Sequence, residues 1–318
     1  MKKSLKKITV LVLSCIMLLA FPFQAFCLDP VYSLPFDKIE ELIIGRNPDV
    51  QNNNKSYANT VDNADKTNSW GAGIVTQGYN TSKSNLQIVW NKQKAFADYN
   101  QLKRDLYLSQ TKEAQLAYQL KITTLKESVG RASKEDKVKA ENALSDQKRV
   151  TVKAQDDLSK ALRDFNLSLN QDVSTPLTIE SVPEPDLNKI RAIDFDTDYE
   201  VARLQSYDIK IVELPGSGKD QREKDIVKMQ FKDSFYNIYK ALKDALENYQ
   251  NSQKLADIAQ HDYEIARKKL SYGILSQLDF VSAEYTWTGK LADTSKAKDN
   301  LYIAYQRYQW AMRGLIFS

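Results

Sequence analysis

The chain has 318 residues, long enough for two ordinary domains, with 45 basic against 41 acidic side chains and a mean hydropathy of −0.52. Its 10 glycines and 8 prolines are few for that length, a makeup of long, mostly solvated helices rather than of a compact enzyme with a large core. Acids and bases are interspersed, and no basic stripe with interleaved aromatics marks a nucleic-acid footprint.

Lys2, Lys3, Lys6 and Lys7 precede an apolar run over residues 8–26, with Ala25 and Cys27 at the positions a signal peptidase reads. Residues 1–27 therefore read as a signal peptide cleaved near Cys27. A retained anchor is the competing reading, because the run is nearly long enough to span a bilayer. Lipidation is a third, on the faint lipobox of Val12, Leu13, Ser14 and Cys15. Both cysteines, Cys15 and Cys27, fall in this leader, so the mature chain has no disulfide and is held by helix packing alone.

An extended arm over 28–36 leads to a helix expected from Asp37, capped in a box with Glu40 and burying Ile39, Leu42 and Ile43. Asn47-Pro48-Asp49 predicts a turn and a fresh helix start. Between Trp70 and Trp90 the glycines Gly71, Gly73 and Gly78 break helical periodicity, and Leu86, Ile88 and Trp90 alternate loosely, as a short strand does. A long helix is expected from Lys92 to near Lys126. After Gly130, Ala140, Leu144, Gln147, Thr151, Ala154, Leu158, Ala161 and Phe165 repeat at alternating spacings of three and four, the seam of a coiled coil. Residues 176–185 form an extended connector. Leu214-Pro215-Gly216-Ser217-Gly218 is a breaker. The next seam, from Phe231 through Phe235, Ile238 and Leu242 to Ala256, Ala266 and Leu270, holds for about 40 residues, roughly 60 Å of helix. Gly273 ends it, and a last helix is expected over 277–313.

The chain reads as an internal duplication. Gly130, Ser133, Asp136, Val138, Ala140 and Glu141 recur in register as Gly273, Ser276, Asp279, Val281, Ala283 and Glu284. Phe36-Asp37, Glu41, Leu42, Asp49 and Val50 likewise match Phe195-Asp196, Glu200, Val201, Asp208 and Ile209. The expected architecture is all-α, with little or no β: two tandem repeats, 28–185 and 186–318, of long antiparallel helical hairpins with coiled-coil packing.

No catalytic constellation is visible. His261 is the only histidine and reads as a surface residue; without cysteine, a transition-metal site would need carboxylates alone. Gly216-Ser217-Gly218-Lys219 lacks the first glycine of a phosphate loop, and Asp220 stands where Ser or Thr would meet magnesium. No enzyme activity, cofactor or metal is expected. At each tip the Gly allows a tight reversal, the Ser caps the next helix and the Asp suits its positive end. Gly130, Ser133, Asp136, Gly273, Ser276 and Asp279 are thus equally a well-made helical turn and an exposed contact site for a partner.

The run from Ala266 to Glu284 (ARKKLSYGILSQLDFVSAE), Asn47-Pro48-Asp49-Val50-Gln51 and Phe165-Asn166-Leu167-Ser168-Leu169 resemble the TolC-like outer-membrane efflux family, in order over most of the mature chain. The resemblance implies self-association, as a trimer, into a helical duct across the periplasm, continued as a β-barrel, working in efflux or type I secretion. It implies a periplasmic adaptor and an inner-membrane transporter as partners, and hairpin tips that meet the adaptor at 130–136 and 273–279. The implied location is the cell envelope, or the cell surface if the organism lacks an outer membrane. Family members insert two barrel strands per repeat between the early and late helices. Here residues 214–225 are short, charged and not alternating, so a shortened relative without the usual barrel is expected. The alternative is an exported coiled-coil scaffold or surface-interaction protein that has lost the channel.

Overall fold

The structure is a computed structural model that describes residues 29–317; the leader, with its cleavage, anchor and lipidation readings and both cysteines, lies outside them. Among the described residues the fold is all-α, with 81% helix and 1% strand. The only strands there, β1 (Ser33–Leu34) and β2 (Thr178–Ile179), pair in parallel.

A 3-10 turn, Phe36–Lys38, opens into α1 (Ile39–Arg46). The Asp37 capping box does not form: Pro35 and Lys38 occupy the cap positions and neither makes a side-chain cap bond. Phe36 is instead buried against Phe96 and Tyr302, with ring centroids 5.4 and 4.9 Å apart, and that packing fixes the entry. Asn47 caps α2 (Pro48–Thr67) by accepting from the Asp49 and Val50 amides, with proline at the first helical position, where a missing N–H costs nothing.

The strand expected at Leu86–Trp90 is absent, because α3 runs unbroken from Ala72 to Ser128 and takes in the segment expected to precede Lys92. Gly78 is helical there because Tyr57 of α2 needs the space: a Cβ would stand 2.6 Å from its hydroxyl. Glycine lowers helix propensity by about 1 kcal/mol, but close helix–helix approach outweighs that.

The rest follows the expected plan. α4 (Lys134–Ser168) completes the first hairpin; α5 (Leu187–Arg191), α6 (Phe195–Gln205) and α7 (Tyr207–Glu213) lead to α8 (Gln221–Ser271) and α9 (Gln277–Met312). Ser206 caps α7 from the position that Asn47 holds before α2, so the duplication extends to the caps.

Packing places the long helices in one layer, ordered α4, α3, α9, α8. Two hydrophobic clusters lie at the end remote from the hairpin tips. One joins Phe36, Ile43, Val50, Trp90, Phe96 and Phe165 to the C-terminal Trp310, Leu315 and Phe317. The other joins Tyr199, Ile209, Phe231, Phe235, Leu242, Leu301 and Tyr308. Tyr308 is 1% exposed and donates to Asp198 Oδ2 at 2.7 Å; burial first, then that bond to the carboxylate, drives its phenol pKa well up. Between the repeats, Arg104 Nη2 lies 2.7 Å from Asp299 Oδ2, a charge contact without aligned hydrogen-bond geometry at that oxygen. Desolvation raises the Asp299 pKa despite the opposing pull of Arg104.

Candidate functional site: the paired hairpin tips

Toward the tips the helices bury narrow stripes, partly polar ones. Ser109 Oγ lies 3.0 Å from Thr151 Oγ1, and Gln147 Nε2 donates to Ser109 Oγ at 2.8 Å, tying α3 to α4. Across the repeats, Gln115 Nε2 donates to Ser282 Oγ at 2.9 Å and Lys112 stands 4.8 Å over the Tyr285 ring.

The two tips are built alike. Gly130 and Gly273 both take φ = 72°, the left-handed region that favours glycine. Arg131 N donates to Lys126 O and Ile274 N to Lys269 O, closing the last turns of α3 and α8. Ser133 accepts from Asp136 N at 3.0 Å, and Asp136 Oδ2 accepts from Ser133 N at 3.0 Å and from its hydroxyl at 2.8 Å, a complete capping box. Ser276 accepts from Asp279 N at 3.1 Å and donates to Asp279 Oδ2 at 2.7 Å. All six residues singled out in the sequence thus sit at the two reversals, each trio brought together by its own turn. That geometry accounts for them as structure.

The tips differ in chemistry. The second exposes Tyr272 at 78% and Ile274 at 74%, while the first exposes Val129 beside Arg131 and Lys134. Beside the first tip an open groove of about 300 Å³ runs between α3 and α4, lined by Leu116, Gln119, Thr123, Asp136, Lys139, Ala140 and Ala143. Sequence reading missed this groove. Its signal was there in Ala140 and Ala143, small residues three apart facing the neighbouring helix.

The Ser133 backbone N–H first, and its hydroxyl second, hold the Asp136 carboxyl below its ordinary pKa. A depressed folded pKa gives a contribution fully present above the unfolded value, near 4, and lost as pH falls through the lower folded value. We expect the Ser133 amide resonance to titrate with its midpoint below that of an unperturbed aspartate; a midpoint at or above it contradicts the box.

No group of three or more His, Cys, Asp or Glu side chains that could hold a metal occurs among the described residues. His261 is exposed on α8. Lys219 is 2.7 Å from Glu223, and Ser217 Oγ donates to Val212 O, so this segment is an ordinary helix-start turn.

No protein-family model and no curated protein matches the chain. Solved structures do. The outer membrane protein VceC of Vibrio cholerae aligns with a TM-score of 0.58 at 9% identity, over 89% of this chain and 97% of that one. CusC, described in connection with transmembrane channel formation, aligns at 0.58 and 10% identity, over 92% and 96%. The MtrE outer membrane channel of Neisseria gonorrhoeae aligns at 0.57 and 10%, over 88% and 89%. At these identities the likeness is one of fold.

Proposed function

We propose that the chain is a non-enzymatic, TolC-like component of the cell envelope that forms or contributes to a helical export duct in efflux or type I secretion. Its repeats, 28–185 and 186–318, are the two halves of that wall segment. The observation that carries this reading is the single layer α4–α3–α9–α8, whose outer helices leave apolar flanks uncovered. On α8, Leu255, Ile258 and Ile265 are 52%, 59% and 37% exposed; on α4, Val138 and Val152 are 50% and 61% exposed. Two different edges that meet head to tail generate a closed ring when the rotation closes, and the resemblance supplies three as the number of copies. The tips then form one rim, offered to a periplasmic adaptor and, through it, to an inner-membrane transporter.

The connectors that follow α2 and α7 span 68–71 and 214–220. A membrane strand needs about 9–11 residues, so neither connector holds a barrel strand. A Cβ on Gly216 would lie 3.8 Å from Ala72 Cβ, so the second connector lies against the start of α3. No described helix is long and apolar enough to cross a membrane. The shortness of both connectors favours, as second reading, an exported scaffold that kept the fold without a channel.

Oligomeric state separates the two. Val152 and Leu255 both lie about 25 Å from the tips at the helical rise, on opposite outer helices. Since both cysteines precede residue 28, a chain beginning at residue 28 and carrying Val152→Cys/Leu255→Cys reports only this contact. We expect oxidation to give a ladder ending at a closed trimer. A product that stays monomeric, with single-chain particles in electron microscopy, favours the scaffold.

A further inference from the structure

The two repeats meet along α3 and α9, and a charged contact there is buried. Arg104 stands 26 residues before Gly130 and Asp299 stands 26 after Gly273, so both lie about 39 Å from the tips at the helical rise. The Asp299 side chain is 5% exposed and that of Arg104 22%. Nη2 and Oδ2 are 2.7 Å apart, yet that oxygen lacks an aligned donor, and Arg104 Nε is buried without an acceptor. Arg104 Nη2 instead donates to Gln101 Oε1 at 3.3 Å, on its own helix. Two further charges act on the carboxylate: Lys298 beside it on α9, and Glu184 of the connector, which Lys298 holds at 2.6 Å.

The duplication supplies an internal comparison. Asp156, 26 residues after Gly130, is the counterpart of Asp299, and it is exposed on α4. α4 is the outermost helix of the layer, whereas α9 has a neighbour on both sides, so the same carboxylate is hydrated in one repeat and enclosed in the other. A buried ion pair with incomplete hydrogen bonds does not recover the hydration that its charges give up. The contact therefore strains the junction while Asp299 is ionised. A proton removes that strain, and Arg104, partly exposed, keeps its own access to water. We propose that Asp299 makes the junction between the repeats pH-responsive, holding α3 against α9 more tightly in mild acid than at neutral pH. Desolvation raises the Asp299 pKa, so the cost of the ionised group is present above its folded value and disappears as pH falls through that value.

Thermal unfolding of wild type, Asp299→Asn and Asp156→Asn, each as a chain beginning at residue 28, tests this within one chain, independent of ring formation or export. The melting temperature of Asp299→Asn relative to wild type is expected to be at least about 2 °C higher at about pH 7.5 than at about pH 4.5. Asp156→Asn shows no such pH-dependent difference. Amide exchange over residues 100–106 and 295–302, corrected for the intrinsic effect of pH, slows about threefold in the wild type on the same acidification and stays level in Asp299→Asn. Arg104→Met/Asp299→Leu, which takes both charges out of the junction, gives the same level exchange if Asp299→Asn does not fold. A difference between wild type and Asp299→Asn that ignores pH, an equal pH response in Asp156→Asn, or wild-type exchange at the junction that quickens in acid overturns the proposal.

Discussion

Replacing Gly314 with alanine should destabilise the mature protein by at least about 4 kcal/mol, lowering its melting temperature by about 8 °C or more. Two independent reasons converge on this glycine. Its φ is +79°, where an L side chain is strained by about 1–2 kcal/mol. A Cβ there would also fall onto the Gln205 carbonyl and the Ser206 amide, far inside van der Waals contact. Those are backbone atoms at the joint between α6 and α7, where Ser206 is 0% exposed, so the joint itself would have to move. Gly314 O accepts from Tyr207 N at 3.3 Å, and the next residues carry Leu315 and Phe317 into the first repeat's cluster. A shift at Gly314 therefore disturbs both cores. Gly130→Ala is the control: its φ is +72° but a Cβ meets nothing within 4 Å, so only the strain of about 1–2 kcal/mol applies. Equal melting of the two variants by circular dichroism would show that close approach at Gly314 does not matter.

That glycine marks the boundary of what the amino-acid order alone discloses. Periodicity exposed the seam of α8, because Phe231, Phe235, Ile238, Leu242, Ala256 and Ala266 recur on one face and are all buried. Local chemistry exposed the tips, since Gly130 and Ser133 act within their own turn. What escaped depends on partners distant in sequence. Gly78 looked like a breaker because Tyr57 is invisible until α2 lies on α3. Asp37 looked like a cap because nothing local shows Phe36 drawn in by Phe96 and Tyr302. Trp90 looked like the end of a strand because Phe317, its stacking partner, lies at the far end of the chain. The buried contact of Arg104 with Asp299 joins both repeats and has no signature within either one.

Introducing Ile258→Asp and Ile265→Asp together should dissociate the assembly while leaving each chain folded. Both side chains immediately precede seam positions of α8, Ala259 and Ala266, so they share one flank beside the stripe that packs on α9. They make little of the intrachain core, at 59% and 37% exposure, and aspartate at these sites stays hydrated in the single chain. In a ring the same sites meet the α4 flank of the next copy. Full burial of one such side chain contributes about 1.5–3 kcal/mol, and an unpaired carboxylate in that contact adds a further desolvation cost. The two substitutions lie on the α8 side of every protomer-to-protomer contact, so their effect repeats around the ring and association weakens by several orders of magnitude. Sedimentation velocity of wild type and variant, with helicity checked by circular dichroism, measures this directly. The expected outcome is a trimeric wild type and a monomeric variant with equal helix content. A wild type that sediments as a single chain at every concentration removes the duct and leaves the scaffold. A variant that keeps the wild-type stoichiometry places the contact elsewhere, because no apolar interface formed through this flank tolerates two buried charges per junction.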